Sequence, residues 1–353
     1  MNKVQALNRL MLLCIAPFIG MLIWLMYVNL QIEVPAMNTS VDNTPIKLDT
    51  AELEKKLDDI TVKVTNSKSL LDDYKPIYEA SALESRNMLQ IAAASAALPE
   101  SIIDGRITSK LGRTVRHEAS ENLDLKLFVL NEGKYTGYAM KVRLKSDQAM
   151  RVVLSKDQVG ELETTQQAVN RLQAVVGVNA GGYIENKTSK HPVGTIVTDK
   201  QFHTNLMPAM SNPIFIGLNS KLQLVGSAYQ NQTDIEKLEP LFGVTAGPIL
   251  IQNKQKVTIS SELGPTTKRS ARTVIASFED QQLLFLVIDG DEKDPNAGAT
   301  LAELQDKLVS LGVKNAYNLD GAGASTLIWN DEMMNLPAEG KAKPAASHFL
   351  FFK

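Results

Sequence analysis

Cysteine is almost absent. Cys14 is the single thiol in 353 residues, and it lies inside an apolar run near the N-terminus. The rest of the chain therefore forms no disulfide and offers no thiolate metal site. Histidine is also scarce: His117, His191, His203 and His348 are scattered without metal-ligand spacing, which speaks against a zinc enzyme. Positive charge is not in excess either. Thirty-seven Lys and Arg face 39 Asp and Glu, for a net charge of −2, and this argues against nucleic acid as the partner. No glycine-rich stretch ends in the G-K-[ST] of a Walker loop. The run GAGAST (321–326) lacks the third glycine of a dinucleotide fingerprint, and β-prone TLIW follows where that motif needs a helix.

What is present begins with an N-terminal signal. Lys3 and Arg9 precede an uncharged apolar run from Leu10 to Val28, long enough to cross a bilayer, with Trp24 and Tyr27 near its end. This predicts a single-pass membrane anchor with the C-terminal domain extracytoplasmic. The alternative is a signal cleaved near Val34 and Ala36, giving a secreted protein. Residues 1–36 are accordingly assigned to an anchor or signal, and the rest is exported on either reading. Residues 37–108 read as a polar linker followed by a helical stalk. Leu53, Leu57, Ile60, Val64, Leu71 and Tyr74 recur at helical intervals, and Pro76 predicts two helices rather than one. Such a stalk is suited to self-association; a helical hairpin packed on the following domain is the alternative.

From about residue 109 the texture turns to strands. LDLKLFVL (123–130), TGYAMKVRL (136–144) and MRVVLS (150–155) alternate or run apolar between turn signals, with a helix expected over 161–173. Three apolar strands then run into small or polar residues. Val175–Val178 leads to Asn179, Gly181 and Gly182; 242–251 contains Gly247-Pro248; Leu283–Ile288 ends in Asp289-Gly290. After the last of these, Thr300 is a candidate N-cap, Leu301, Leu304, Leu308 and Leu311 mark one helical face, and Gly312 is a stop. A second Asp-Gly follows at Asp320-Gly321. Strand, helix, strand of this length predicts a right-handed βαβ crossover that would bring Asp289 and Asp320 to one sheet edge, where ligands bind. The fold class read from these elements is α+β, a mixed sheet with a βαβ unit at the C-terminal end, preceded by the transmembrane helix and stalk. Two carboxylates at one edge suit hydrolysis at a sugar carbon. The basic stretch 264–273, with Lys268, Arg269 and Arg272, could bind phosphate. The acidic run 291–294 could hold a divalent cation such as Ca²⁺, but it fails the EF-hand pattern and reads better as a solvated loop. No cofactor is otherwise called for.

Four pieces together resemble the phosphodiester glycosidase family: VNAGGY (178–183) with Pro192 and Gly194 downstream, TAGPILI (245–251), ART (271–273) before the LVIDG strand, and YNLDGAGAST (317–326). The resemblance covers about 170–353, within a domain assigned to 109–353. It implies hydrolysis of a sugar C1–phosphate bond, with Asp289 and Asp320 as the catalytic pair. It also implies substrate contacts from Asn179, Gly181, Gly182, Arg272, Thr273, Gly290, Gly321, Gly323, Ser325 and Thr326. Asn179 would meet a sugar hydroxyl or acetamido group, and Arg272 with the backbone N–H groups of 321–324 would hold the phosphate. Three departures stand out against the family's usual LDGGGSS turn and the arginine that commonly follows its upstream Asp-Gly. Ala322 and Ala324 replace a glycine and a serine, and Asp291 stands in the arginine's place.

The expected function is thus a hydrolase, a glycosidase acting on sugar-1-phosphodiesters of a surface or secreted glycopolymer such as an exopolysaccharide of the cell envelope. Its partners would be an anionic glycopolymer and, through the N-terminal helix, the membrane. Two other classes compete: a catalytically silent module binding envelope glycan or teichoic acid, and a surface protein whose stalk does the work by pairing.

Overall fold

The computed structural model describes residues 50–185, 190–203, 212–259 and 268–353, together with Trp24. The apolar run 10–28, the Val34/Ala36 site and the linker lie outside these residues. Among the described residues no helix is long and apolar enough to cross a membrane. The chain divides into two compact units between Ser85 and Arg86.

Helix α1 (Thr50–Leu111) has 62 residues and is unbroken, where Pro76 predicted two helices. Proline removes one N–H from the ladder, yet the helix continues through it. Lys56–Glu52 and Lys63–Asp59 pair at i, i+4. Within the β-branched patch the hydroxyls of Thr61, Thr65 and Ser67 donate back to the carbonyls of Leu57, Thr61 and Lys63, one turn earlier. Leu53, Leu57, Ile60, Val64 and Leu71 are exposed. At the other end Ile107 and Leu111 are buried in the core of the second unit, so the helix runs past the expected boundary at 108.

The second unit continues as β1 (Thr114–Ala119), β2 (Leu123–Asn131), β3 (Thr136–Leu144), β4 (Met150–Leu154), α2 (Thr165–Leu172), β5 (Val176–Asn179), β6 (Tyr183–Glu185), β7 (Lys190–Pro192), β8 (Ile196–Thr198) and β9 (Gln201–Phe202). It then forms β10 (Ile214–Asn219), β11 (Leu224–Ala228), α3 (Gln232–Glu236), β12 (Pro240–Ala246), β13 (Ile249–Gln252), β14 (Gln255–Lys256), β15 (Arg272–Ser277), β16 (Leu283–Ile288) and α4 (Leu301–Leu311). The last elements are β17 (Asn315–Asn318), β18 (Leu327–Trp329), β19 (Glu332–Met333) and β20 (Ser347–Phe351). The turn expected at Gly247-Pro248 separates β12 from β13, which lie in different sheets.

An eight-stranded sheet has the order β1-β2-β3-β16-β15-β17-β13-β14, beside five-stranded sheets ordered β11-β10-β12-β8-β9 and β19-β18-β5-β20-β4. The α+β class stands, but the pairings are antiparallel rather than mixed. β15 pairs antiparallel with both β16 and β17. Those two strands therefore run parallel to each other with β15 inserted between them, and the βαβ unit is split. The inserted strand does not disturb the shared edge. β16 and β17 end there and β15 begins there.

The six apolar residues of β16 divide by parity. Leu283, Phe285 and Val287 face a core shared with the two five-stranded sheets, where Phe285 meets Phe349 and Phe351 edge-on at 5.6 Å. Leu284, Leu286 and Ile288 face α4 and its Leu301, Leu304, Leu308 and Leu311. Both faces are covered, which is why the strand carries no polar alternation. α4 itself starts on a capping box, Thr300 with Glu303, and stops at Gly312 in the left-handed region.

Candidate active site

A cleft of about 360 Å³ opens at the edge where β15 begins and β17 ends. Asp320, Gly321, Leu319 and Asn318 line it from β17, Ser270 and Arg272 from β15, Thr245 to Pro248 from the β12–β13 connection, and Gly182 and Val193 from the segments after β5.

Asp320 enters the cleft from a tightly held backbone. Its N–H donates to the Ala180 carbonyl at 3.3 Å, and its carbonyl accepts from Asn179 Nδ2 at 2.7 Å. Burial pushes its carboxyl up to about 6, against the opposing pull of the Gly321 N–H. Gly182 lies against this carboxylate: a Cβ there would stand 3.1 Å from its Cγ and Oδ1. Gly194 is a second place where only glycine fits. It has a φ of 67°, and a Cβ would meet the Thr245 hydroxyl at 2.5 Å.

Arg272 supplies the opposite charge. Its guanidinium reaches the carbonyls of Lys268 at 3.1 Å and Ala299 at 3.5 Å, and has no carboxylate partner among the described residues. Burial lowers its pKa with nothing opposing. Its neighbour Arg269 is by contrast consumed in the structure, binding Glu303 and the carbonyls of Lys134, Asn296 and Gly298. Of the basic stretch, residues 264–267 lie outside the described residues.

The other predicted site residues are placed differently. Asp289 does not line the cleft. Its Oδ2 accepts from Thr136 Oγ1 at 2.7 Å and its Oδ1 from the Leu336 N–H at 2.8 Å. Strand β15 separates it from Asp320, and two strand spacings amount to roughly 9–10 Å. Gly290 and Gly321 both pack on Ala271, where a Cβ would stand 2.7 Å from Ala271 Cβ and 3.1 Å from its carbonyl oxygen, respectively. Asn179 is wholly buried: its Oδ1 accepts from Thr273 Oγ1 at 2.8 Å and from the Thr326 N–H at 3.1 Å. It clamps β5, β15 and the Asp320 turn together, and has no acceptor left for a sugar. Thr273 is buried with it. The Gly181 N–H donates to Ser347 Oγ at 3.0 Å. Gly323 packs on the Lys343 side chain. The Ala324 N–H closes a 3₁₀ turn onto Gly321, so it is spent within the turn that was expected to cradle phosphate. Asp291 and Asp294 accept the N–H groups of Lys293 and Asn296 in their own turns, as a solvated loop does.

Ser325 and Thr326 are fully buried and lie behind the cleft, and their hydroxyl oxygens have no partner. Asn318 Oδ1 is a third such atom. Three orphaned side-chain oxygens within one nine-residue stretch are unusual in a folded chain. Asn318, Val193 and the 245–248 connection were not picked out as site residues by sequence, although Asn318 stands at the head of the NLDGAGAST run.

Comparison with known proteins is consistent with this geometry. A sequence profile of the phosphodiester glycosidase family matches residues 172–352, half of the chain. The chain belongs to the phosphodiester glycosidase family. In fold, this family member is similar to the zebrafish N-acetylglucosamine-1-phosphodiester alpha-N-acetylglucosaminidase catalytic domain, in a structure auto-inhibited by its pro-peptide. The TM-score is 0.56 at 17% identity, covering 69% of this chain and 87% of that one. A Synechocystis protein of hypothetical status aligns with a TM-score of 0.47 at 14% identity, over 68% of this chain and 64% of that one. No curated protein sequence matches the chain.

Proposed function

We propose that the second unit hydrolyses the bond between a sugar's anomeric carbon and phosphate in sugar-1-phosphodiesters of a surface or secreted glycopolymer. The observation that carries this reading is the joint presence, in one cleft, of the Asp320 carboxylate and the Arg272 guanidinium, which has no carboxylate partner among the described residues. Arg272 offers a planar donor fork to the anionic diester. When the C1–O bond breaks, the electron pair leaves with the oxygen as a phosphomonoester, whose second pKa is about 6. Such a group needs charge neutralisation more than it needs a proton. Asp320, ionised above about pH 6, is then available to take a proton from the water that attacks C1 and to stabilise the oxocarbenium-like charge. Asn179 acts as a positioning residue for Asp320, and Asp289 holds the neighbouring loops. Membrane attachment through 10–28, or release after cleavage, and self-association through α1 belong to the same proposal and rest on the sequence.

One observation favours a second reading. Asp320 is the single carboxylate lining the cleft among the described residues, as would suit a silent glycan-binding module. The full-length protein incubated with an N-acetylglucosamine-1-phosphodiester, with and without Ca²⁺, separates the two. Release of reducing sugar that Asp320→Asn lowers about a hundredfold or more supports the hydrolase. Binding without release on several sugars, unchanged in Asp320→Asn, supports the module.

A further inference from the structure

We infer that residues 53–78 of α1 form an antiparallel two-stranded coiled coil with a second copy of this chain, Leu57 of each copy packing against Tyr74 of the other. The inference rests on the proposed self-association through α1 and is independent of the chemistry in the cleft. Ten large apolar side chains between Leu53 and Tyr78 are each more than half exposed. Seven of them fall at alternating spacings of four and three, from Leu53 and Leu57 through Ile60 and Val64 to Tyr74 and Tyr78, with Ser67 the single polar residue in the series. That period of 3.5 residues keeps one apolar seam on one side of a supercoiled helix. Two more of the ten, Leu70 and Ile77, flank the seam on one side. The repeat stops after Tyr78, where Ser81 and Ser85 take the next two seam positions. Pro76 stands on the outer side of the helix, opposite the seam, so its ring and missing N–H stay clear of the contact.

The charges beside the seam choose the orientation. The two flanking rows carry Lys56 and Lys63 on one side and Lys68 and Lys75 on the other, against a single acid, Glu54. Lys56 and Lys63 are paired with Glu52 and Asp59 of their own helix. An in-register parallel pair sets unlike flanks together, which brings Lys63 against Lys68 of the second copy, twice. An antiparallel pair sets like flanks together. With Leu53 opposite Tyr78 of the second copy and Leu57 opposite Tyr74, all seven apolar seam residues are covered and Ser67 meets Val64. In this register Glu54 comes beside Lys75 of the second copy, also twice. The stems of Lys56 and Lys63 then lie over Ile77 and Leu70. The antiparallel pair replaces two repulsions by two attractions.

The test uses the full-length protein in detergent with Cys14 replaced by Ser, which leaves the chain free of thiols. Sedimentation of this chain is expected to give a dimer. Leu57→Cys and Tyr74→Cys chains, each oxidised alone, are expected not to crosslink, because like positions lie roughly 25 Å apart along the antiparallel pair. The two chains co-expressed are expected to crosslink to one another. Glu54→Lys should raise the dissociation constant about tenfold, and adding Lys75→Glu should restore it, a test that leaves the seam untouched. Crosslinking of Leu57→Cys to itself marks a parallel pair and overturns the inference while self-association stands. A trimer or larger assembly does the same. A monomer at every concentration up to roughly 100 μM overturns both, and the reducing-sugar assay decides the hydrolase reading separately.

Discussion

Replacing Asp320 by asparagine is expected to stabilise the protein while removing its activity. In the folded chain burial raises the carboxyl from 3.8 to about 6. Between those two values the native state holds a proton that the unfolded state has released, so stability falls as pH rises through the window. Above about pH 6 the folded protein carries the full cost of a desolvated carboxylate. About two pKa units correspond to about 3 kcal/mol, an upper bound because water reaches the cleft side of the group. Asparagine keeps the shape and can still accept the Gly321 N–H, but it carries no charge to desolvate. Asp320→Asn should therefore raise the stability at pH 7.5 by up to about 3 kcal/mol, or roughly 6–12 °C in melting temperature for a unit of this size. Denaturant titrations of both proteins from pH 3.5 to 8 measure the difference directly, since every other titrating group cancels. The gain should be near zero at pH 3.5, grow between 4 and 6, and stay level above 6. A variant less stable than the wild type at pH 7.5, or a difference independent of pH, refutes the account of Asp320 as a desolvated and unpaired acid.

Three further outcomes follow from particular contacts. His348 is fully buried between Ser155 and Thr165 hydroxyls, and burial pushes its pKa down to about 4. The unfolded chain takes up its proton near pH 6.5, so about 3 kcal/mol of stability present above that pH should be lost by pH 4, and a His348→Gln chain should lack this limb in the same titration. Asp289→Asn should cost about 1.5–3 kcal/mol in chemical denaturation, by setting an amide against one of two donors, while any kcat stays within roughly threefold. A fall in kcat comparable to that of Asp320→Asn, with stability intact, would restore Asp289 to the chemistry. Gly182→Ala brings a methyl to 3.1 Å from the Asp320 carboxyl, and should lower kcat/KM about tenfold or more with little change in melting temperature.

The parts of the fold legible in the sequence are those decided by neighbours. β16 is the apolar run itself, and α4 begins and ends where Thr300, Glu303 and Gly312 place it. The two Asp-Gly turns reach one edge because β16 and β17 do run the same way. What could not be read was the strand lying between them, since β15 takes its place through pairing alone. The continuity of α1 was hidden for the opposite reason: Pro76 is a strong local breaking signal, and the helix runs through it all the same.

The same distinction sorts the candidate site. Local spacing shows which polar residues reach the sheet edge, but not which of them arrive with their valences already filled. Asp289 is satisfied by Thr136, 153 positions away, and Asn179 by Thr273 and Thr326, 94 and 147 positions away. Sequence cannot show such partners, and both residues look as functional from their surroundings as Asp320 does. At the cleft, among the described residues, Asp320 keeps a carboxylate without a cationic partner and Arg272 a guanidinium without a carboxylate. On the proposed reading the carboxylate addresses the attacking water and the guanidinium the phosphate. Glycine recurs at the cleft, at 182 against the Asp320 carboxyl and at 194 against Thr245. Gly182 packs too closely on the Asp320 carboxyl to admit a side chain, so the carboxylate enters the cleft already oriented and loses little freedom when the ligand arrives.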